Sequence, residues 1–229
     1  MNTFDKDIQD RLKELTELYT IVKEIVIYSE ENDPEKRADI QVINEMRNAF
    51  DHLMRLYAAY FGIEHNADSE YMKINLDKAF AHVYRAGYDA LDRTTLFLRK
   101  YIANEMGDFS LETINSVFPE YYRVIRTDIE EINEAIAKGR VRKDVGNPNF
   151  ESFIDYVKLM KKLGSYYKEV LKKKSSLIEY EDKLKKVLIK AVKASGANII
   201  ETKLYQFNPH GLTGIITVSY THLTLPTKA

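Results

Sequence analysis

Apolar side chains recur at every third or fourth position through most of the first 180 residues, which is the spacing of one helical face. Comparable stripes predict helices over 34–61, 69–102, 119–136 and 150–174. The first stripe, in a helix predicted over 4–29, runs through Ile8, Leu12, Leu15, Tyr19, Val22 and Val26. The chain is therefore predicted to be mainly α, with a bundle of about five long helices.

Two helix boundaries are marked by the residue types that start or end helices. Asn32 and Asp33 precede Pro34, and proline is favoured at the first helical position, so the second helix is expected to begin there. Gly62 is expected to end that helix, and Gly107 the third.

A different pattern follows residue 180. Residues 182–194 still predict a helix, which Ser195 and Gly196 end. Residues 198–205 and 212–220 are rich in β-forming side chains and flank a turn over 208–211, which predicts a β-hairpin. One helix and two strands bury too little surface to be stable alone, so this part is predicted to be a short, incomplete α/β fragment.

The same region resembles an enzyme family. Residues 193–198 (Lys-Ala-Ser-Gly-Ala-Asn) and 207–214 (Phe-Asn-Pro-His-Gly-Leu-Thr-Gly) are similar to the N-terminal part of bacterial S-adenosylmethionine decarboxylase. The resemblance implies a role in spermidine biosynthesis and a Glu-Ser-His self-cleavage site whose serine becomes a pyruvoyl group. The aligned positions here hold Tyr220, Thr221 and His222. The resemblance therefore implies a truncated, inactive member of the family.

The last residues carry a second resemblance. Residues 218–227 (Val-Ser-Tyr-Thr-His-Leu-Thr-Leu-Pro-Thr) are similar to the conceptual translation of a transposase sequencing adapter. This implies that residues 218–229 are an artefactual tail on a chimeric gene model, and His222 is then given no role. The expected organisation is a helical bundle over 1–178, a decarboxylase-like fragment over 179–217 and the tail.

Charge is unevenly distributed along the chain. Residues 1–150 carry a net charge of −8 and residues 151–229 a net charge of +7, against −1 for the whole sequence. Twelve lysines lie between Lys158 and Lys193. A stretch of this kind can contact phosphates, which makes RNA a candidate partner, and it is also typical of a solvated helix face.

Composition excludes several functional classes. The sequence has no cysteine, which excludes disulfides, thiolate metal sites and cysteine nucleophiles. Its three histidines before residue 200 lack metal-site spacing, so neither a metal nor a cofactor is expected. No apolar run approaches the roughly 20 residues of a membrane span, and the N-terminus has no signal-peptide pattern. We therefore expect a cytoplasmic protein that does not associate with membranes.

One short motif carries the candidate chemistry of the bundle. Residues 47–52 (Arg-Asn-Ala-Phe-Asp-His) are similar to the arginine, polar residue and histidine motif of HEPN domains. Those domains are small helical bundles, often dimeric, and many are metal-independent ribonucleases, which implies RNA as a partner and a homodimer.

Each residue of the motif has a chemical role in that interpretation. His52 would take the 2′-hydroxyl proton, Arg47 would hold the phosphate, and Asn48 would fix the imidazole tautomer. A spacing of five residues separates Arg47 and His52 by about 140° around the helix axis. They must therefore converge by side-chain reach or across a dimer.

The same residues also fit a purely structural role. Two Arg-Asp-Arg ladders with four-residue spacing would form one interhelical polar network if their helices packed antiparallel. They consist of Arg47, Asp51 and Arg55, and of Arg85, Asp89 and Arg93. Three functions stay open at this point: a HEPN-like RNA-binding protein or endoribonuclease, a non-catalytic helical interaction protein, and a truncated, inactive decarboxylase-like product.

Overall fold

The computed structural model describes residues 4–33, 38–63, 68–141 and 149–194. Within these ranges no strand occurs, so the protein is mainly α, as the periodicity predicts. The hairpin predicted over 198–220 lies outside the described residues. The elements are α1 (Lys6–Asn32), α2 (Ile40–Tyr60), α3 (Ser69–Gly107), α4 (Leu111–Val117), a π-helical turn π1 (Tyr121–Ile125), α5 (Arg126–Val141) and α6 (Phe150–Ala194).

The second helix begins at Ile40, so the prediction that it starts at Pro34 is wrong. The side chain of Asp39 accepts a hydrogen bond from the backbone N–H of Gln41 at 2.9 Å, which satisfies one of the free donors at the helix start. Asp33 instead follows the end of α1, where its own N–H reaches the carbonyl of Glu30. Capping by the later aspartate therefore sets the boundary.

The last helix is longer than predicted. α6 is continuous over 45 residues, whereas the sequence predicts one helix over 150–174 and another over 182–194. The joining residues, 175–181, contain neither glycine nor proline, and they place Leu177 and Glu181 in buried positions. Because this burial continues the stripe of the preceding turns, nothing in the segment ends the helix.

The described helices fall into two compact units, and the division lies inside α3, α5 and α6. The first unit comprises the residues up to Phe97 together with 134–162. Its core contains fully buried side chains from α1, α2, α3 and α6, among them Leu18, Leu56, Leu91 and Phe153. Gly87 lies where these helices approach closely, since a Cβ there would be 2.7 Å from both Val22 and Phe153.

The second unit comprises Leu98–Asn133 and the described chain from Leu163 onward. Its core brings together the end of α3, α4, π1, the start of α5 and the middle of α6. The buried side chains include Ile102, Ile114, Ile125, Leu163, Val170 and Leu177.

A buried carboxylate ties α6 to the start of α4 within the second unit. Glu181 is 4% exposed, and its Oε2 accepts hydrogen bonds from the backbone N–H of Ser110 at 3.1 Å and from its hydroxyl at 2.8 Å. The hydroxyl of Thr113 donates to the same oxygen. Burial raises the pKa of Glu181, but these hydrogen bonds outweigh it and hold the pKa below its ordinary value of 4.5.

None of the helices in the described ranges has an apolar stretch long enough to cross a membrane.

Candidate functional site

The three residues predicted to act on RNA all lie in the middle of α2. Arg47 is exposed, and its Nη2 donates to the Oδ1 of Asn48 at 3.4 Å. His52 is half-buried and turns towards α3 instead. The structure therefore brings Arg47 to Asn48, and it does not bring Arg47 to His52 within one chain, as the 140° separation around the helix predicts.

His52 is held by an asparagine from α3. Its Nδ1 lies 2.9 Å from the Oδ1 of Asn75, and the Nδ2 of Asn75 donates to the carbonyl of Tyr71 at 2.9 Å. Because Asn75 uses its amide nitrogen for Tyr71, its oxygen is left to accept from His52, which places the ring proton on Nδ1. The partner that fixes the tautomer of His52 is Asn75, and the neutral ring then has a free lone pair on Nε2.

A second histidine lies against the first. The imidazole rings of His52 and His82 are stacked, with centroids 5.3 Å apart and planes 18° from parallel. The Nδ1 of His82 is 2.7 Å from the Oε2 of Glu45, and Arg85 donates to the same oxygen through Nε at 3.0 Å. We call Glu45, His52, Asn75, His82 and Arg85 together the histidine seam.

The histidine seam is only partly shielded from solvent. The side chains of Glu45 and His82 are 13% and 17% exposed, and that of Arg85 is 34% exposed. In the described part of the chain, no hydrogen bond involves Nε2 of either imidazole. The Nη2 of Arg85 also lies 3.0 Å from the Nδ1 of His82, so a donor and an acceptor both face that nitrogen. A protein partner therefore fixes the tautomer of His52 but not that of His82.

Sequence reasoning singled out none of Glu45, Asn75 and His82 as a site residue. A signal for Glu45 was present, because residues seven positions apart lie on the same helical face, which applies to Glu45 and His52. Asn75 gave no such signal, since its role depends on how α3 is placed against α2.

The two charge ladders do not meet as one network. Asp51 pairs with Arg55 at 2.9 Å on the exposed side of α2. Arg85 contacts Glu45, and Arg93 contacts Asp33 and also Asp39, the latter at 3.2 Å. The arginines of α3 are therefore paired with acids from α2 and from the segment before it, and these acids are not members of the first ladder.

The side of α2 opposite the seam carries exposed apolar side chains. Phe50 is 60% exposed and Phe61 is 68% exposed, and Ile43 and Met54 lie on the same face. Phe50 and His52 are two positions apart, which separates them by about 200° around the helix. We call Ile43, Phe50, Met54 and Phe61 the α2 apolar stripe, and Arg47 lies within it.

The end of α6 has a similar apolar face. After Glu181, none of the described side chains is buried, and Val187 is 62% exposed. Leu184 and Ala191 lie three and four positions from Val187, and Leu188 lies four positions from Leu184 and three from Ala191, so the four side chains form one apolar face. No residue that the structure describes covers this amphipathic end of α6.

Comparison with known families matches this C-terminal region. The family model for S-adenosylmethionine decarboxylase matches residues 165–227. The match includes the end of α6 and the residues beyond it, and it also extends over residues 218–227, for which the sequence predicts a foreign origin. It does not include Arg47, Asn48 or His52.

Curated relatives match the same region. The S-adenosylmethionine decarboxylase proenzyme of Methanococcus maripaludis strain S2 is 35% identical over 69 residues, which cover 30% of this chain and 57% of that protein. The proenzyme of Hydrogenobaculum sp. is 39% identical over 51 residues, covering 22% and 38% respectively. The chain thus spans 57% or less of the length of these relatives, and no solved structure matches it.

Proposed function

We propose that the residues after Glu181 are the N-terminal part of an S-adenosylmethionine decarboxylase-like fold, joined to a helical body through α6. The observation that carries this proposal is the family match over residues 165–227. The sequence places the boundary between residues 178 and 179, and burial favours a position three residues later. Glu181 is the last buried residue of α6 in the described chain.

The uncovered end of α6 supports this division. Val187 and Leu188 are 62% and 45% exposed, and leaving the apolar face that they form with Leu184 and Ala191 in water is unfavourable. A β-hairpin formed by residues 198–205 and 212–220 would bury this face and, in turn, its own apolar side. We therefore propose that the helix over 182–194 and this hairpin pack together.

Hydrogen exchange would test that packing. In the full chain, amides within 198–220 should exchange slowly, and the double substitution V187D/L188D should remove their protection. K186D is the matched control, because Lys186 is exposed on another face of the same turn. Fast exchange in the unsubstituted chain would contradict the proposed packing.

We also propose that the chain does not decarboxylate S-adenosylmethionine. A pyruvoyl group would require a serine, but the aligned position holds Thr221. The glutamate that precedes this serine in the family is replaced by Tyr220. The purified chain should show one unprocessed intact mass and release no labelled carbon dioxide from carboxyl-labelled S-adenosylmethionine. The Methanococcus maripaludis proenzyme provides the positive control, and carbon dioxide release by this chain would refute the proposal.

For the helical body, we propose an RNA-directed function centred on His52, as a HEPN-like RNA-binding protein or metal-independent endoribonuclease. The orientation of His52 by Asn75 favours it, because an imidazole with a fixed tautomer and a free Nε2 can act as a base. H52A should abolish RNA turnover while circular dichroism shows that the helices are still folded at the assay temperature. The exposed-residue variant E17A is the control, and undiminished turnover by H52A would exclude this function.

The α2 apolar stripe favours the other open function, a helical interaction protein, with a second copy of the chain as the partner. Phe50 and Phe61 are more than half exposed, and burying them between two copies would remove a large apolar surface from water. Analytical ultracentrifugation should show a dimer that F50D dissociates, whereas T20A on α1 leaves it intact. A monomer at high concentration would rule out this role for the stripe.

A further inference from the structure

We infer that α2 of one chain packs antiparallel on α2 of a second copy, and that Arg47 lies across the ring of Tyr57 of that copy. The inference rests on the interaction role proposed above for the α2 apolar stripe, and it adds the register of the pair and a role for Arg47. It follows from the spacing of the outward residues of α2, from the exposed charges beside them and from the contacts of Arg47.

The outward face of α2 has the spacing of a helix that pairs with another helix. Its residues recur at alternating steps of four and three, which keeps one narrow face turned towards a partner. In chain order they are Ile43, Arg47, Phe50, Met54, Tyr57 and Phe61, and we call these six residues the pairing face. A second helix can therefore lie along nearly the whole of α2.

The order of residues along the pairing face suits an antiparallel pair. In a twofold arrangement, each residue that faces a second one is faced by it in return. With the axis level with the midpoint between Phe50 and Met54, these two residues face each other, and so do Ile43 and Phe61. A shift by one seven-residue repeat would place Phe61 or Ile43 beyond the end of the other α2. This register is therefore the one that covers the whole face.

The remaining pair in this register is Arg47 and Tyr57. Among the described residues, the only polar contact of the Arg47 guanidinium is the 3.4 Å hydrogen bond to Asn48, so its charge has no acidic partner there. The ring of Tyr57 is held by Phe61, with centroids 6.2 Å apart and planes 21° from parallel, and by an edge contact with Phe4. An arginine is attracted to the face of a tyrosine ring, and its aliphatic stem packs on apolar neighbours. A second copy thus supplies the contact that Arg47 lacks in one chain.

The exposed charges beside the pairing face also favour the antiparallel direction. Asp51 and Arg55 are paired with each other at 2.9 Å, and both side chains are more than half exposed. Because they lie close to the level of the axis, Asp51 of each copy comes within reach of Arg55 of the other. A parallel pair would instead set Asp51 against Asp51 and Arg47 against Arg47, and like charges opposed in this way are unfavourable.

In this arrangement Arg47 belongs to the interface between copies and not to the histidine seam. His52 lies about 200° around the helix from Phe50, so both copies of His52 face away from the second α2. The pair therefore does not bring Arg47 of one copy to His52 of the other. Arg47 is thus an interface residue, a role that differs from the phosphate contact expected from the sequence.

Cross-linking tests the register, because a chain without cysteine reports only the cysteines that are introduced into it. When I43C and F61C are mixed, a short bismaleimide should join one variant to the other and should join neither to itself. Joining of I43C to itself would show a parallel pair. Joining of I43C to M54C more readily than to F61C would show a shifted register, and either result would overturn the inference.

Sedimentation of the full chain tests the role of Arg47. R47A should weaken dimerisation by about 5- to 30-fold, because the twofold arrangement makes the contact with Tyr57 twice. R47K keeps the positive charge and should lose less, and R123A, which removes an exposed arginine of π1, should dimerise like the unsubstituted protein. At concentrations below the dissociation constant of the dimer, R47A should unfold at the same temperature as the unsubstituted protein, which assigns the loss to the interface.

The outcomes separate this inference from the role on which it rests. A dimer that F50D dissociates but R47A leaves unchanged would overturn the role of Arg47 and leave the interaction role standing. A monomer in which I43C and F61C react freely with maleimide would refute both. A monomer in which they are shielded would show that another segment of the same chain covers the stripe, which also refutes both.

Discussion

Glu181 accepts two hydrogen bonds from Ser110, one from the backbone N–H at 3.1 Å and one from the hydroxyl at 2.8 Å, across 71 residues of sequence. Ser110 is also the N-cap of α4, where its hydroxyl accepts from the N–H of Thr113. A side chain of α6 thus completes the cap of another helix. The contact fixes this part of α6 against the start of α4 within the second unit.

Removal of this carboxylate should destabilise the fold. E181A leaves the N–H and hydroxyl of Ser110 without their buried acceptor, and we expect a loss of about 2–3 kcal/mol in the free energy of unfolding. E179Q is the matched control, because Glu179 is exposed on the same helix and pairs with Lys183. Urea unfolding followed by circular dichroism measures both variants, and equal losses would show that the contact is not stabilising.

The same carboxylate should make stability depend on acid pH. Because the pKa of Glu181 is lower in the folded protein than its ordinary 4.5, its contribution is fully present above about pH 4.5. It should be lost as the pH falls from that value through the lower pKa of the folded state. The difference in unfolding free energy between the unsubstituted protein and E181Q should therefore be constant from pH 6 to 8 and narrow below 4.5, and a difference that widens in acid would contradict this sign.

Gly87 should not tolerate a side chain. In G87A the new Cβ would lie 2.7 Å from Val22 and Phe153, so the helices must separate, and we expect a net loss of about 1–3 kcal/mol despite the better helix propensity of alanine. Gly139 in α5 is the control, because a Cβ there meets nothing within 4 Å. In thermal or urea unfolding, G139A should gain up to about 1 kcal/mol in the free energy of unfolding. If G87A left that free energy unchanged, Val22 and Phe153 would be able to move away from the new methyl group at little cost.

The arginines of the two ladders should differ in their effect on stability. R93A leaves the buried carboxylate of Asp33 without its arginine partner, and we expect a loss of about 3 kcal/mol. R47A should change the free energy of unfolding by less than about 0.5 kcal/mol, because Arg47 is exposed and contacts only its neighbour Asn48 among the described residues. Thermal unfolding of the two variants, measured side by side, would test this difference. A large loss of stability in R47A would instead support a structural role for the ladder of Arg47, Asp51 and Arg55.

The sequence predicts local features of this protein better than it predicts contacts between helices. The apolar period predicts the mainly α fold, and the five-residue spacing predicts that Arg47 and His52 point apart. The start of α2 was predicted wrongly, because Pro34 and Asp39 are both acceptable boundary residues and only the folded backbone selects between them.

The candidate site shows the same division. Glu45 and His52 share a face of α2 by spacing alone, so their proximity could be predicted from the sequence. The stacking of His52 on His82 could not, because it depends on the register between α2 and α3. That register follows from packing over the whole unit, and no local pattern encodes it.

The continuity of α6 has a practical consequence for dissecting this polypeptide. A recombinant fragment that begins at residue 165, where similarity to the decarboxylases begins, would carry Tyr166, Val170 and Leu177 with their covering helices cut away. Three stranded apolar side chains on one helix favour insolubility on expression. A fragment that begins after Glu181 leaves these three side chains with the helical body and so avoids the insolubility. The better position at which to divide the polypeptide therefore lies inside the region of similarity.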